Sequence, residues 1–210
     1  MKKILLMLIT LIITSLMVLI GAGCKTTAAM EPVAVEFIGN DFEISLPENW
    51  EGGTKEELDS VIEKLKNLGQ TQLADKVEAN KFYLLFFGYN SEDAAEDGSV
   101  SDFTITGESA AFLSLKEYVD LTYTDVTKVY KKAGYTFNII EQDITPLGNY
   151  EEVGRTIFKQ DVEGIKTKVV QYIVKNKSDF WVLTFTTDLE EFDDNIQAFD
   201  ETFKTFKILD

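Results

Sequence analysis

The segment Asn90-Ser91-Glu92-Asp93-Ala94-Ala95-Glu96-Asp97-Gly98-Ser99 gathers side-chain oxygens around a glycine that can turn sharply. That is the donor set a Ca²⁺ ion takes. Its order lacks the Asp-x-Asp-x-Asp-Gly phase of an EF-hand, and a solvated acidic loop accounts for the same residues. Glycoside hydrolysis is a second chemistry open to an acidic chain, since it needs two carboxyl groups at a set separation across a cleft. With 36 acidic residues some pair lies close by chance, and the sequence selects none. Asp143 and Glu152 flank Pro146-Leu147-Gly148, where the end of a hairpin explains them equally well. Arg155 is the single arginine, so bidentate recognition of a carboxylate or phosphate has one donor. On a strand, its expected partner is a neighbouring acid.

The inventory excludes more than it offers. There is no histidine and one cysteine, Cys24. Ser-His-Asp triads, Cys-His dyads and His-ligated metal sites are thereby ruled out. No catalytic residue, cofactor site or metal site is expected, and the chain reads as a non-enzyme. Cys24 follows Lys2-Lys3, an apolar run from Ile4 to Ile20, and Gly21-Ala22-Gly23. This is the order of a basic region, an apolar region and small residues before a cleavage point. Residues 1–23 are expected to be a signal peptide. The segment resembles the lipobox of bacterial lipoproteins in Ala22, Gly23 and Cys24, with Gly21 standing where a larger residue is usual. The resemblance implies lipid attachment at Cys24, through a diacylglyceryl group, because a single acyl chain holds a protein only weakly. An uncleaved span is the alternative, since about 17 apolar or small residues approach the length that crosses a bilayer. Either way, the amino-terminal lysines place the rest of the chain on the extracytoplasmic side.

Beyond the leader remain about 187 residues, enough for one domain with a sizeable core. Residues 24–32 form the lipidated cysteine and a short tether, and 33–210 the globular domain. Loss of Lys2 and Lys3 leaves 18 basic against 36 acidic residues, a net charge of about −18. Such a surface repels nucleic acid, so nucleic-acid partners are excluded. The expected partners are the membrane, through the lipid on Cys24, and an envelope protein; the oligomeric state is left open.

The elements that must position these groups are legible from spacing. Val33 to Phe37 and Phe42 to Leu46 alternate around Gly39-Asn40-Asp41 as a hairpin, ended by Pro47. Thr54 with Glu57, Ser114 with Glu117, and Thr187 with Glu190 have the spacing of capping boxes. They predict a helix through Leu58, Ile62 and Leu65 to Gly69, one from Ser114 to about Lys132, and a closing helix. The closing helix carries Phe192, Ile196, Phe199, Phe203 and Phe206 as a core stripe. A further short helix fits Thr71 to Glu78. Phe82 to Tyr89 is apolar on both faces, the mark of a central strand, with Phe103 to Thr106 as partner. Thr136 to Ile144, Glu152 to Val162, Ile165 to Lys175 and Phe180 to Thr186 follow. Glu163-Gly164 and Asn176-Lys177-Ser178-Asp179 punctuate consecutive hairpins. The fold class is α+β, a meander-rich antiparallel β-sheet covered by helices on its faces.

Three stretches then resemble the PsbP-like fold: Phe42-Glu-Ile-Ser-Leu-Pro-Glu-Asn-Trp50, Trp181-Val-Leu-Thr-Phe-Thr-Thr187, and Phe203-Lys-Thr-Phe-Lys-Ile208 in the closing helix. The resemblance implies an α/β/α sandwich over about residues 33 to 208. It also implies an accessory or binding role rather than catalysis, in the bacterial cell envelope. It carries no metal-linked residue onto this chain. Capture of a small ligand or divalent cation between sheet and helices, and a carboxylate-dependent hydrolase, are the alternative functions.

Overall fold

A computed structural model describes residues 35–95, 100–162 and 164–209. The signal segment 1–23, Cys24 and the tether 24–32 lie outside the described residues, as do Glu96 to Ser99. Along the described chain run β1 (Val35–Ile38), β2 (Phe42–Leu46), β3 (Trp50–Thr54), α1 (Leu58–Asn67), α2 (Thr71–Asn80) and β4 (Leu84–Asn90). Then come α3 (Ser91–Ala94), β5 (Asp102–Ser109), α4 (Leu115–Ala133), β6 (Thr136–Leu147), β7 (Tyr150–Val162) and β8 (Ile165–Asn176). The chain closes with β9 (Asp179–Asp188), α5 (Phe192–Thr205) and β10 (Lys207–Ile208).

Seven strands form an antiparallel sheet in the order β3-β4-β5-β9-β8-β7-β6, and β1, β2 and β10 form a second, smaller one. The sequence reading has a single sheet. The predicted hairpin of β1 and β2 does form, Val35 opposite Leu46, but β2 spends its other edge on β10. Phe42, Ile44 and Leu46 then point down onto the large sheet. Both meander turns fall where expected, with Val162 opposite Ile165 and Asn176 opposite Asp179.

Side chains alternate across the large sheet, so each face has its own core. One face presents Phe86, Phe103, Ile157, Tyr172, Leu183 and Phe185 to the small sheet and to α5. The stripe predicted for α5 seats here: Phe199 stacks on Phe185 at 4.6 Å and Phe203 on Tyr172 at 4.5 Å, while Phe103 lies 4.2 Å from Phe185. Offset ring pairs of this kind add to the apolar area they bury. The opposite face is shared. Leu58, Val61, Ile62 and Leu65 of α1, with Leu73 and Val77 of α2, cover Leu84, Phe87 and Tyr89. Tyr118, Val119 and Tyr123 of α4 cover Phe158, Val169, Ile173 and Phe180. The result is the α+β sandwich expected, with a small sheet added to one outer layer.

One predicted capping box of three is complete. The Ser114 hydroxyl accepts from the Glu117 N–H while the Glu117 carboxylate accepts from the Ser114 N–H at 2.8 Å. Gly134, at φ 81°, closes the same helix in the left-handed conformation that costs glycine least. Thr54 instead ends β3, and Glu57 only accepts from its N–H and hydroxyl before α1 starts at Leu58. Thr187 is held extended inside β9 opposite Lys168, and its hydroxyl meets Ser101 at 3.0 Å. Strand pairing therefore overrides the cap, and α5 starts at Phe192. β3 is a strand that Gly52-Gly53 conceals. A Cβ on Gly52 would lie 2.5 Å from the Phe87 carbonyl oxygen, so close strand approach explains the glycine.

Candidate functional site

Arg155 sits on β7, on the face that meets α5. Its Nε and Nη2 donate to Asp200 Oδ1 and Oδ2 at 3.0 and 3.2 Å, and its Nη1 donates to Glu141 at 2.6 Å. The Tyr172 hydroxyl donates to Asp200 Oδ1 at 2.5 Å, and the guanidinium lies 6.0 Å from the Tyr172 ring centre. Burial, then the Asp200 carboxylate, push the Tyr172 hydroxyl far above its ordinary pKa. The only fork-shaped cation is thus consumed by its own fold, as expected for an arginine on a strand.

The other face holds a polar row that the sequence reading missed. Thr104 on β5, Thr184 on β9, Gln171 on β8 and Thr156 on β7 stand directly opposite one another, strand to strand. All four are buried. The Tyr123 hydroxyl donates to Gln171 Oε1 at 2.7 Å, and Gln171 Nε2 donates to Thr184 Oγ1 at 2.8 Å. A parallel device lies nearby, where Tyr130 donates to Gln160 and Gln160 to Thr167. Beside the row Asp102 faces Thr186, and neither carboxylate oxygen of Asp102 finds a hydrogen-bond partner of normal geometry among the described residues. Burial raises the Asp102 carboxyl well above the usual range, and the Lys76 ammonium and Thr186 hydroxyl offset this only in part. The signal was present in the sequence: Asp102-x-Thr104-x-Thr106 and Thr184-x-Thr186 set polar residues at period two in strands whose other positions are apolar.

The row continues outward. Gln142 on β6 stands opposite Thr156 and donates to Asp120 at 3.2 Å. Gln142, Asp120, Tyr123, Thr127 and Ile139 line a shallow open groove of about 500 Å³ between α4 and β6. β6 is the outer strand of the sheet, twelve residues long, bulged between Ile139 and Glu141 and between Thr145 and Leu147. Ile140 and Ile144 remain exposed on it. Acids, bulges and Pro146 on an edge are the usual guards against indiscriminate strand pairing.

The acidic loop is partly helical. Asn90 Oδ1 accepts from the N–H groups of Glu92 and Asp93, and the Asp93 carboxylate accepts from the Ser101 N–H at 3.1 Å. Among the described residues of the loop, Asn90 Oδ1 and the Asp93 carboxylate are therefore engaged with local backbone. Burial and the charges of Asp93 and Asp188 raise the Glu191 carboxyl, so acids do approach here. Among the described residues no three or more His, Cys, Asp or Glu side chains are placed to hold a metal ion. Asp143 lies opposite Arg155 on the β6–β7 hairpin, with Glu152 exposed toward its end. Cys24 falls outside the described residues. Among the described residues no helix is long and apolar enough to cross a membrane.

No protein-family profile and no curated protein sequence matches the chain. Solved structures do. The chain is similar to the cyanobacterial PsbP (CyanoP) of Synechocystis sp. PCC 6803, at a TM-score of 0.57 and 10% identity, over 90% of this chain and 98% of that one. It is similar to the Ran-binding protein Mog1p of Saccharomyces cerevisiae, at 0.53 and 11% identity, over 87% and 97%. It is also similar to LpqN, involved in cell envelope biogenesis of Mycobacterium tuberculosis, at 0.52 and 8% identity, over 87% and 100%. The fold is PsbP-like.

Proposed function

We propose that this chain is a lipid-anchored, extracytoplasmic module of the bacterial envelope that acts by binding a protein partner and catalyses no reaction. The observation that carries the reading is the lone thiol, Cys24, set directly behind a basic and apolar leader on a chain without histidine. The fold supports it, since one protein of similar structure is named for binding Ran and another for cell envelope biogenesis. The partner face is the β6 edge with Ile140 and Ile144, bordered by the groove of Asp120, Tyr123 and Gln142. Asp143 on that edge, on the face away from the groove, adds negative charge that favours a basic segment of the partner. Two measurements test the proposal. Radioactive palmitate should label the chain and fail to label Cys24→Ala; no incorporation by the unaltered chain would remove the anchor. Membrane pull-down should recover a common protein with the unaltered chain and lose it with Ile140→Asp/Ile144→Asp. Recovery of background alone by both chains would remove the partner.

The groove favours a second reading, capture of a small hydrogen-bonding ligand between α4 and β6. Calorimetry against pooled small polar solutes, with Gln142→Ala as control, tests it, and an absence of heat rejects it.

A further inference from the structure

Four large apolar side chains stand out of the surface at one end of the domain. Phe82 precedes β4 and is 78% exposed, and Phe112 follows β5 and is 80% exposed. β4 and β5 are antiparallel, with Leu84 opposite Thr106, so the start of one and the end of the other share an end of the sheet. The tip of the β1–β2 hairpin comes to the same end, because Asn40 Nδ2 donates to Glu56 and the neighbouring Lys55 N–H donates to the Leu85 carbonyl. That tip brings Ile38, 63% exposed, and Leu209, whose N–H donates to the Asp41 carbonyl. Four separate segments thus present apolar groups together, which is unusual on a chain this acidic.

Lys55, Lys81, Lys175 and Lys177 lie at this end among Asp41, Glu56, Asp59, Glu108, Glu117 and Asp179; Lys81 bonds Asp59 and Lys175 bonds the Leu113 carbonyl. Lys177 holds the left-handed φ of 55° at the β8–β9 turn, where glycine or asparagine costs less, and the adjoining Ser178 carbonyl accepts from Ala110 just before Phe112. Exposed phenylalanines with lysines on the same and neighbouring segments suit the headgroup boundary of a bilayer, where apolar rings enter and ammonium groups remain at the phosphates. The length of chain allows it, with Val35 opposite Leu46 and so within reach of either end. Ten residues lie between Cys24 and Val35, reaching at most about 35 Å. Val35 is set back from Ile38 by only three strand steps, about 10 Å.

We infer that the end bearing Ile38, Phe82, Phe112 and Leu209 is a membrane-contacting tip that seats the domain on the lipid surface, leaving the β6 edge free for the partner. This rests on the lipid-anchor reading for its tether, but the contact itself is separately testable. Acylation consumes Cys24, so Phe82→Cys, Phe112→Cys or Glu48→Cys gives the full mature chain one reactive thiol for a polarity-sensitive fluorophore. Glu48 is exposed at the opposite end of the domain. In phosphatidylcholine vesicles containing nitroxide lipid, quenching at 82 and 112 should exceed that at 48 at least twofold. Equal quenching at all three sites in a chain that sediments with the vesicles overturns the tip and leaves the anchor intact. If palmitate labelling finds no acylation, the anchor fails, and Cys24→Ser versions carry the same labels at millimolar lipid. There, a blue shift at 82 and 112 upholds the tip, and no shift overturns it.

Discussion

Arg155 and Asp200 meet side by side through two parallel hydrogen bonds, joining β7, the strand next to the β6 edge, to the middle of the closing helix across 45 residues of sequence. Both are largely shielded, with 14% and 28% of their side chains exposed. Asp200→Ala leaves the guanidinium with Glu141 alone and strips the Tyr172 hydroxyl of its acceptor. The expected loss is about 2–4 kcal/mol of unfolding free energy, read from urea denaturation. Arg155→Lys keeps the charge and loses the fork, and should cost about half as much. An unchanged urea midpoint for both would show the pair to be ornamental.

Asp102 makes stability depend on pH in a direction opposite to that of most carboxylates. Its folded-state pKa is raised, so between its unfolded value near 4 and its higher folded value the folded chain holds the extra proton. Stability contributed by the neutral acid is therefore present at low pH and is lost as pH rises through that window. Asp102→Asn should remove this slope and stabilise the fold at pH 8 by about 1–3 kcal/mol. Urea midpoints at pH 5 and pH 8 check it, and a destabilised Asn variant at pH 8 contradicts it.

Gly154 lets α4 lie close on β7. A Cβ there would be 2.6 Å from Val119 Cγ2, a stiff β-branched side chain in a packed core. Gly154→Ala should cost about 1–3 kcal/mol by overpacking. Val119→Ala in the same chain should recover part of it, so the two changes together cost less than their sum. Strict additivity in thermal denaturation would place the strain elsewhere.

Ser114→Ala should cost about 1 kcal/mol, the ordinary worth of a helix cap. The hydroxyl and N–H of Ser114 hold the Glu117 carboxyl below its ordinary pKa. That contribution exists above the unfolded pKa and is lost as pH falls through the folded one. A Glu117 titration unmoved by Ser114→Ala, followed by carbon-detected NMR, would reject the coupling.

What could be read from the chain divides along physical lines. Ser114 with Glu117, the turns at Gly164 and Asn176, and the phenylalanine stripe of α5 as far as Phe203 are local or periodic patterns that form as read; Phe206, read as helical, lies past the end of α5 in extended backbone and leads into β10. Thr187 with Glu190 has equally good spacing, yet a strand continuing beside Lys168 outcompetes a cap worth about 1 kcal/mol. β3 escapes because Gly52 and Gly53 are chosen for closeness to β4, and glycine also marks turns. Phe82 reads as the first residue of a strand but precedes β4 and points to solvent. The polar row from Thr104 to Thr156 needs the pairing of four strands before it exists, and no single segment announces it. Arg155 could be assigned an acidic partner, but not Asp200 on a helix two strands later.

The pairing of β5 with β9 sets the order of assembly. Asp102 stands opposite Thr186, so the first half of the large sheet stays unfinished until the chain has been supplied almost to its end. Topologies dominated by such distant contacts close slowly, in milliseconds to seconds. A chain cut short before Asp179 would therefore leave one edge of β5 without its partner strand.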